Sequence, residues 1–423
     1  MTATARLKAG RLCEKEEGME KLKFREHDFG SKLRQQSVVN RLKEYILWQR
    51  IPSSDPASSR PPDFGPICIN LDLTSACNFS CPHCVDSAIL NSGTQLELEG
   101  MKRSVNVLYE KGLLAVILVG GGEPTLHRNF KEIVNYIKER KLQVGIVTNG
   151  SRLDKVADVV ERLEGKDWIR ISIDAAREKT FVGLHWPRTA VTLNQILKEA
   201  KKVKERNPNV SLGYSFVIVW EGVDVNGHRL NANIGEMAEC VKLASDHSFD
   251  YVSFKPCLIR LEDSKRESLL DKVDKEKEEK ITEEIRVNLE KARAAAGDKT
   301  KILESVNLIA MLNGETEKIK KQPKRCHLQF FRTVVSPLGT FHCPAFRGVE
   351  KAKIADPDGY TTRSRFDRTL EVTAKSIMTF DAEAECDVVG CFYHGTNWWL
   401  EEFIRSTKGV HEISTVEDDN FFL

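Results

Sequence analysis

The chain has 423 residues, 41% of them hydrophobic and 30% charged, with 64 Lys and Arg against 62 Asp and Glu. That length predicts two or three domains, and the composition is that of an ordinary soluble globular protein. A formal net charge of +2 supplies no global field for nucleic acid or an anionic membrane, no stretch approaches the ~18 apolar residues of a membrane span, and residues 1–24 carry charges where a signal peptide needs an apolar core. A cytoplasmic chain with no nucleic-acid or membrane partner is expected, and its eleven cysteines read as ligands or core residues rather than disulfides.

Residues 1–50 read as a mobile charged arm followed by an amphipathic helix near 38–48, with Val39, Leu42, Tyr45 and Ile46 on one face. This arm is expected to pack on the main body; docking a substrate is the alternative. Cys13 is given no role. Residues 51–66, rich in Pro and Ser, read as a linker. From Ile67 onward, strand-like runs at 67–73, 114–119, 144–147, 169–173, 210–219 and 251–254 alternate with helical patterns at 96–110, 130–140, 153–163, 191–203 and 234–244. Six such repeats over residues 67–262 imply an α/β architecture with a parallel sheet, because each parallel crossover needs a long connection. Residues 263–325 are highly charged, and 272–296 read as a solvated helix bridging to the tail. In that tail, 326–423, the stretches 330–336 and 340–344 flank Pro337-Leu338-Gly339 as a β-hairpin.

The densest chemistry is Cys77-Asn78-Phe79-Ser80-Cys81-Pro82-His83-Cys84. Its thiols are spaced so that one loop can wrap a compact object. Thiolates select zinc, copper(I) or an iron–sulfur cluster. A closed site needs a fourth ligand, and the near candidate, His83, is expected to point away. Three ligands therefore suggest a cluster with one open iron, with a zinc knuckle as the alternative. One strand–helix unit later comes Gly120-Gly121-Gly122-Glu123-Pro124-Thr125, where glycines let backbone approach a ligand and a carboxylate could receive an ammonium group. In the fourth strand, Ser172 and Asp174 alternate with apolar residues and share a face; they could serve a ligand or simply close the strand ends. Thr148 and Asn149 end the third strand. Lys255 follows the sixth. His185 is read as an exposed loop histidine rather than a base. Cys257, Cys68 and Cys240 read as buried core. Cys326, Cys343 on the second hairpin strand, Cys386 and Cys391 would make a four-thiolate site.

The cysteine triplet resembles the cluster-binding loop of the radical S-adenosylmethionine (SAM) superfamily. The resemblance implies a partial (β/α)6 TIM-like barrel with ligands at the C-terminal strand ends. It places a [4Fe–4S] cluster on Cys77, Cys81 and Cys84, with SAM on the open iron. Gly121, Gly122 and Glu123 match the motif that binds the SAM amino group, and Ser172 and Asp174 would meet its ribose or carboxylate, with Thr148 and Asn149 beside them. His83 stands where the family usually has an aromatic residue and takes no role. The tail resembles the twitch or SPASM extension, a small α+β unit of hairpin and helix. It has too few cysteines for the full SPASM set, so the resemblance implies one auxiliary [4Fe–4S] cluster on Cys326, Cys343, Cys386 and Cys391; structural zinc on the same thiols is the alternative.

The implied activity is reductive cleavage of SAM, with an electron from a donor such as flavodoxin or ferredoxin. The resulting 5′-deoxyadenosyl radical would take hydrogen from a substrate. A peptide or protein side chain is the leading expectation. A sugar- or cyclitol-like metabolite, or a non-catalytic iron–sulfur or zinc protein, are the alternatives. No individual catalytic residue is assigned. Residues 1–66 are too short for a corrinoid-binding domain.

Overall fold

Apolar runs of Val, Ile and Leu become the strands of one large sheet in the computed structural model, which describes residues 28–52, 60–225, 227–261, 267–269, 274–298 and 300–423. The expected mobile arm before residue 28, with Cys13, and the middle of the linker lie outside the described residues. In chain order the strands are β1 (Cys68–Leu71), β2 (Ala115–Leu118), β3 (Gln143–Thr148), β4 (Trp168–Ser172), β5 (Ser211–Ile218), β6 (Tyr251–Pro256), β7 (Lys301–Glu304), β8 (Arg332–Ser336), β9 (Gly339–Phe341) and β10 (Lys353–Ala355). They lie in the order β7-β6-β5-β4-β3-β2-β1-β8-β9-β10. From β7 to β8 all neighbours are parallel; β8, β9 and β10 form an antiparallel meander. The α/β class and the parallel barrel-type sheet expected from the sequence are both present.

The segment expected as a solvated bridge is instead part of the barrel wall. Its helix, Lys275–Ala295, buries Ile281, Ile285, Leu289 and Ala292. Their spacing puts them on one face, and they join the main core. The chain then forms β7, which pairs parallel with β6. Charges around the rest of the helix mask this narrow stripe. In the tail, Phe330 and Phe331 belong to a short helix, Leu328–Phe331, rather than to the hairpin. Cys343 stands two residues beyond β9.

Alternation along the strands sends Ile69, Val116, Ile146, Ile171, Tyr214 and Phe254 outward into the main core under the helices. The opposite face lines the lumen. There Trp168 and Tyr251 meet Leu42, Tyr45 and Ile46 of the Val39–Arg50 helix and the C-terminal Phe422 and Leu423 in a second core. The N-terminal helix thus packs on the body. Trp168 Nε1 donates to the Phe422 carbonyl at 2.7 Å, and Phe422 N donates to Gln143 Oε1 at 3.0 Å. These bonds sit at the starts of β3 and β4, so Phe422 packs against that end of the sheet. The other end, where the strands finish, carries the loops with the site residues. No helix among the described residues is long and apolar enough to cross a membrane.

Candidate active site at the strand ends

The loop after β1 brings Cys77, Cys81 and Cys84 together. Its course is fixed by one backbone and one side-chain acceptor: Cys84 N donates to the Cys81 carbonyl at 3.1 Å, and Cys77 N donates to Asn91 Oδ1 at 2.9 Å. Burial pushes the Cys81 thiol well up, and the fields of Cys84 and Cys77 push it further. Burial also raises Cys77, and Glu123 adds to this. Cys84 is pushed up to about 12, by burial first and then by Asp86. Thiols held this way ionise when a metal is present to take their charge.

The glycine-rich turn after β2 is packed back to back with this loop. A Cβ on Gly122 would lie 2.5 Å from the Thr74 and Ala76 carbonyl oxygens, so only glycine lets the two backbones touch. Gly121, at φ 65°, donates its N–H to Asp86 Oδ2 at 3.2 Å. Glu123 N donates to the Ala76 carbonyl at 2.8 Å. The Glu123 carboxylate, 3% exposed, then gathers the end of β3. Oε1 accepts from Thr125 N at 3.1 Å, Thr125 Oγ1 at 2.5 Å and Thr148 Oγ1 at 2.7 Å; Oε2 accepts from Asn149 N at 2.7 Å. Burial raises its pKa against the pull of these donors. Asn149 continues to Asn78 of the cysteine loop, Nδ2 to Oδ1 at 2.9 Å. Gly121, Gly122, Glu123, Thr148 and Asn149 thus form one connected set with the thiol loop.

Asp174 joins the set from the other side. It follows β4 in a left-handed conformation, φ 56°, and accepts from Val217 N at 2.7 Å. Its Oδ2 lies 3.5 Å from His83 Nε2 and 3.4 Å from His185 Nε2. Burial would raise this carboxyl, but the His83 hydrogen bond and the charges of His185 and His83 hold it below the usual range. The left-handed turn breaks the strand alternation. Ser172 is half-buried on the lumen face beside Ser215 in register.

One histidine departs from expectation. His185 ends the Glu178–His185 helix and is 2% exposed, not an exposed loop residue. Its Nδ1 is 3.1 Å from Cys81 Sγ, and its Nε2 is 2.8 Å from the Ile173 carbonyl. Burial lowers its pKa against Asp174. His83 turns from the thiols toward Asp174, and it lines a cavity of about 100 Å³ with Val217, Lys255 and Phe392. A further group carried no sequence signal. Arg347 of the tail pairs through Nε with Asp72 Oδ2 at 2.6 Å and through Nη1 with Asp86 Oδ1 at 3.0 Å, tying the tail to the end of β1 and the thiol loop.

The tail cysteines gather a second time. Cys386 is pushed up by burial and then by Cys343, Cys326 and Cys391; Cys391 is pushed up by burial and then by Cys326 and Cys343. Burial holds Cys326 at about 11. Among the described residues no group of three or more His, Cys, Asp or Glu side chains closes to single-ion distance; the thiols are linked by shared burial and mutual field. Cys68, Cys240 and Cys257 are buried core residues, and all ten described cysteines are free thiols.

Residues 71–225, which hold the thiol loop, the glycine turn and Asp174, match the model of the radical SAM superfamily. The matched segment is a radical SAM domain. Among curated proteins it is similar to an S-adenosylmethionine-dependent nucleotide dehydratase of Selenomonas ruminantium, 35% identical over 27% of this chain and 42% of that protein. It is also similar to the mycofactocin maturase MftC of Mycolicibacterium smegmatis, 34% identical over 26% of this chain and 28% of that one. The matched segments thus span less than half the length of these relatives. Among solved structures, Streptococcus suis SuiB shares the fold at a TM-score of 0.56 and 13% identity, over 85% of this chain and 78% of that one.

Radical SAM proteins use a [4Fe–4S] cluster and SAM, and the thiol loop fits the cluster. Its three sulfurs share one another's field in the loop that also holds Glu123 by its backbone, so Cys77, Cys81 and Cys84 would hold such a cluster.

Proposed function

We propose that this protein is a radical SAM enzyme that takes a hydrogen atom from a peptide or protein side chain. When bound, the cluster and SAM supply a 5′-deoxyadenosyl radical by one-electron cleavage of SAM, the electron coming from a flavodoxin- or ferredoxin-like donor. The observation that carries this reading is the backbone contact between the glycine turn and the thiol loop, which sets a buried carboxylate, Glu123, in the field of Cys77.

In this reading Cys77, Cys81 and Cys84 hold the cluster. Glu123 would meet the ammonium of SAM through Oε2, which accepts from Asn149 N, and Thr148 and Asn149 hold that carboxylate in place. Gly121 and Gly122 bring the turn against the loop. Ser172 and Asp174 would face the ribose or carboxylate of SAM, with Asp174 already fixed by Val217 N. The apolar cluster of Trp168, Tyr251, Phe422 and Leu423 at the opposite end of the sheet would help to keep water from a reactive radical. A peptide substrate is supported by relatives named for mycofactocin maturation and for biosynthesis of the bacteriocin subtilosin. Ten free thiols favour a reducing compartment, the cytoplasm.

The tail thiols, Cys326, Cys343, Cys386 and Cys391, are read as ligands of one auxiliary [4Fe–4S] cluster in a twitch-like extension. A small-metabolite substrate is the second reading. It is favoured by Arg170 and Lys255, which alternation places on the lumen face, and by the nucleotide-acting relatives.

The test is anaerobic purification, loading with iron and sulfide, and addition of dithionite and SAM. We expect 5′-deoxyadenosine, abolished in Cys81→Ala. An iron-loaded protein that neither binds nor cleaves SAM would be a carrier instead.

A further inference from the structure

Arg332 opens β8 between two cysteines. The parallel register sets it beside Cys68 of β1. The antiparallel hairpin, with Val334 opposite Phe341 and Ser336 opposite Gly339, brings the chain back past it, and Cys343 acts on its charge from there. Its Nη2 donates to Asn70 Oδ1 at 2.8 Å. The guanidinium lies over the ring of Tyr393, 5.1 Å from the centroid, two residues beyond Cys391. Its Nε is buried without a hydrogen-bond partner. Among the described residues no ion pair to a carboxylate holds it; Cys68, Cys343, Arg347 and Arg170 act on its charge, and Asp28 and Lys32 line a small cavity with it.

A guanidinium stays charged at any relevant pH, and burying a charge without its opposite is costly. Arg347 meets that cost with Asp72 and Asp86. Arg332 has no such pair. Cys68 is a core thiol pushed up to about 11 by burial and stays neutral. Asp28 shares a cavity with it, and the group of thiolates that begins at Cys343 is the further anion that acts on its charge. Four thiolates around an iron–sulfur core leave a net negative charge, and net charge is one of the levers on a cluster's potential.

We propose that Arg332 is the built-in counter-charge of the metal centre on Cys326, Cys343, Cys386 and Cys391, and that it holds this centre's reduction potential up so that it works as an electron acceptor. This rests on the auxiliary-cluster reading of the tail. The positive charge favours the more negative, reduced state. Asn70 aims the guanidinium and Tyr393 covers it, so the charge is held at a fixed distance. Arg332 is thereby a positioning residue, acting through the cluster.

The test uses the full chain carrying Cys77→Ala, Cys81→Ala and Cys84→Ala, so that the tail centre alone gives the signal. Metal and sulfide are counted, and the midpoint is read by a redox titration followed by electron paramagnetic resonance. With Arg332→Gln we expect iron and sulfide retained but the reduced-to-oxidised ratio at a fixed potential lowered about tenfold, which is 59 mV for one electron. Arg332→Lys, which keeps the charge, should stay near the parent. Asn70→Leu, which frees the guanidinium, should shift the midpoint the same way but less, and it serves if Arg332→Gln does not fold. An iron-loaded Arg332→Gln protein with an unmoved midpoint overturns the proposal, as does a Lys variant shifted as far as Gln. Zinc in place of iron in the parent would defeat the tail reading itself, and the role of Arg332 with it.

Discussion

At the mouth of the barrel three thiols come from one eight-residue loop, whereas the tail collects four from a span running from Cys326 to Cys391. The mouth loop is shaped by its neighbours in sequence: an Asn91 side chain, the Cys81 carbonyl and the glycine turn one unit later. The tail site exists only once β8 has paired with β1 and the hairpin has folded over it. A ligand set on one loop can begin to bind metal before the chain folds. A dispersed one binds only the folded state and therefore stabilises it. The two regions meet at Arg347, whose paired aspartates come one from the end of β1 and one from the mouth loop.

The largest expected effect is at the contact that aligns the mouth. Gly122→Ala puts a methyl 2.5 Å from two carbonyl oxygens, and neither backbone can yield without moving the thiol loop. We expect loss of the mouth cluster's iron and of SAM binding, with the tail metal retained. An iron count on Gly122→Ala that equals the parent would show that the two backbones are not rigidly coupled.

Next is the converse variant. Cys343→Ala with Cys391→Ala should remove the tail metal, leave the iron on Cys77, Cys81 and Cys84, and lower the denaturation midpoint measured in urea. If both metals leave together, the sites are not independent.

Arg347→Met should cost roughly 3–5 kcal/mol, since it strands Asp72 and Asp86 in a buried pocket; equilibrium denaturation of the metal-loaded protein measures this. A change below about 1 kcal/mol would mean that surface-like screening reaches the pair.

A fourth effect is one of pH. Burial raises the Asp72 carboxyl to about 7 against the pull of Arg347. The unfolded chain, with an ordinary aspartate, releases this proton first. The stability tied to the protonated form is therefore full below about pH 4 and is lost as pH rises toward 7, by at most about 1.4 kcal/mol per pH unit. Asp72→Asn should flatten that slope; an unchanged slope would assign it elsewhere.

Much of the site is local and so is legible in the chain. The thiol triplet, the glycine turn and the strand ends at Thr148 and Asn149 all depend on spacing within single βα units, and those are the residues that the fold connects. His185 is not legible in this way, because nothing in Gly183-Leu184-His185-Trp186 shows that a helix end will be driven under Cys81. The helix Lys275–Ala295 looks solvated in sequence because its buried stripe is narrow and its remaining surface is charged. Arg347 and Arg332 carry no sequence signal at all, since a buried arginine is recognised by partners that are hundreds of residues away.

By itself, then, the sequence determined the repeating strand–helix order and the gathering of three thiols at the mouth, because backbone periodicity and thiol spacing act over a few residues. Only the tertiary structure decided which residues face one another across strands: Asp174 against two histidines, Arg332 between Cys68 and Cys343, and the C-terminal Phe422 against Trp168. Those pairings come from sheet register and from the need to bury or neutralise each polar group, and both are properties of the folded whole.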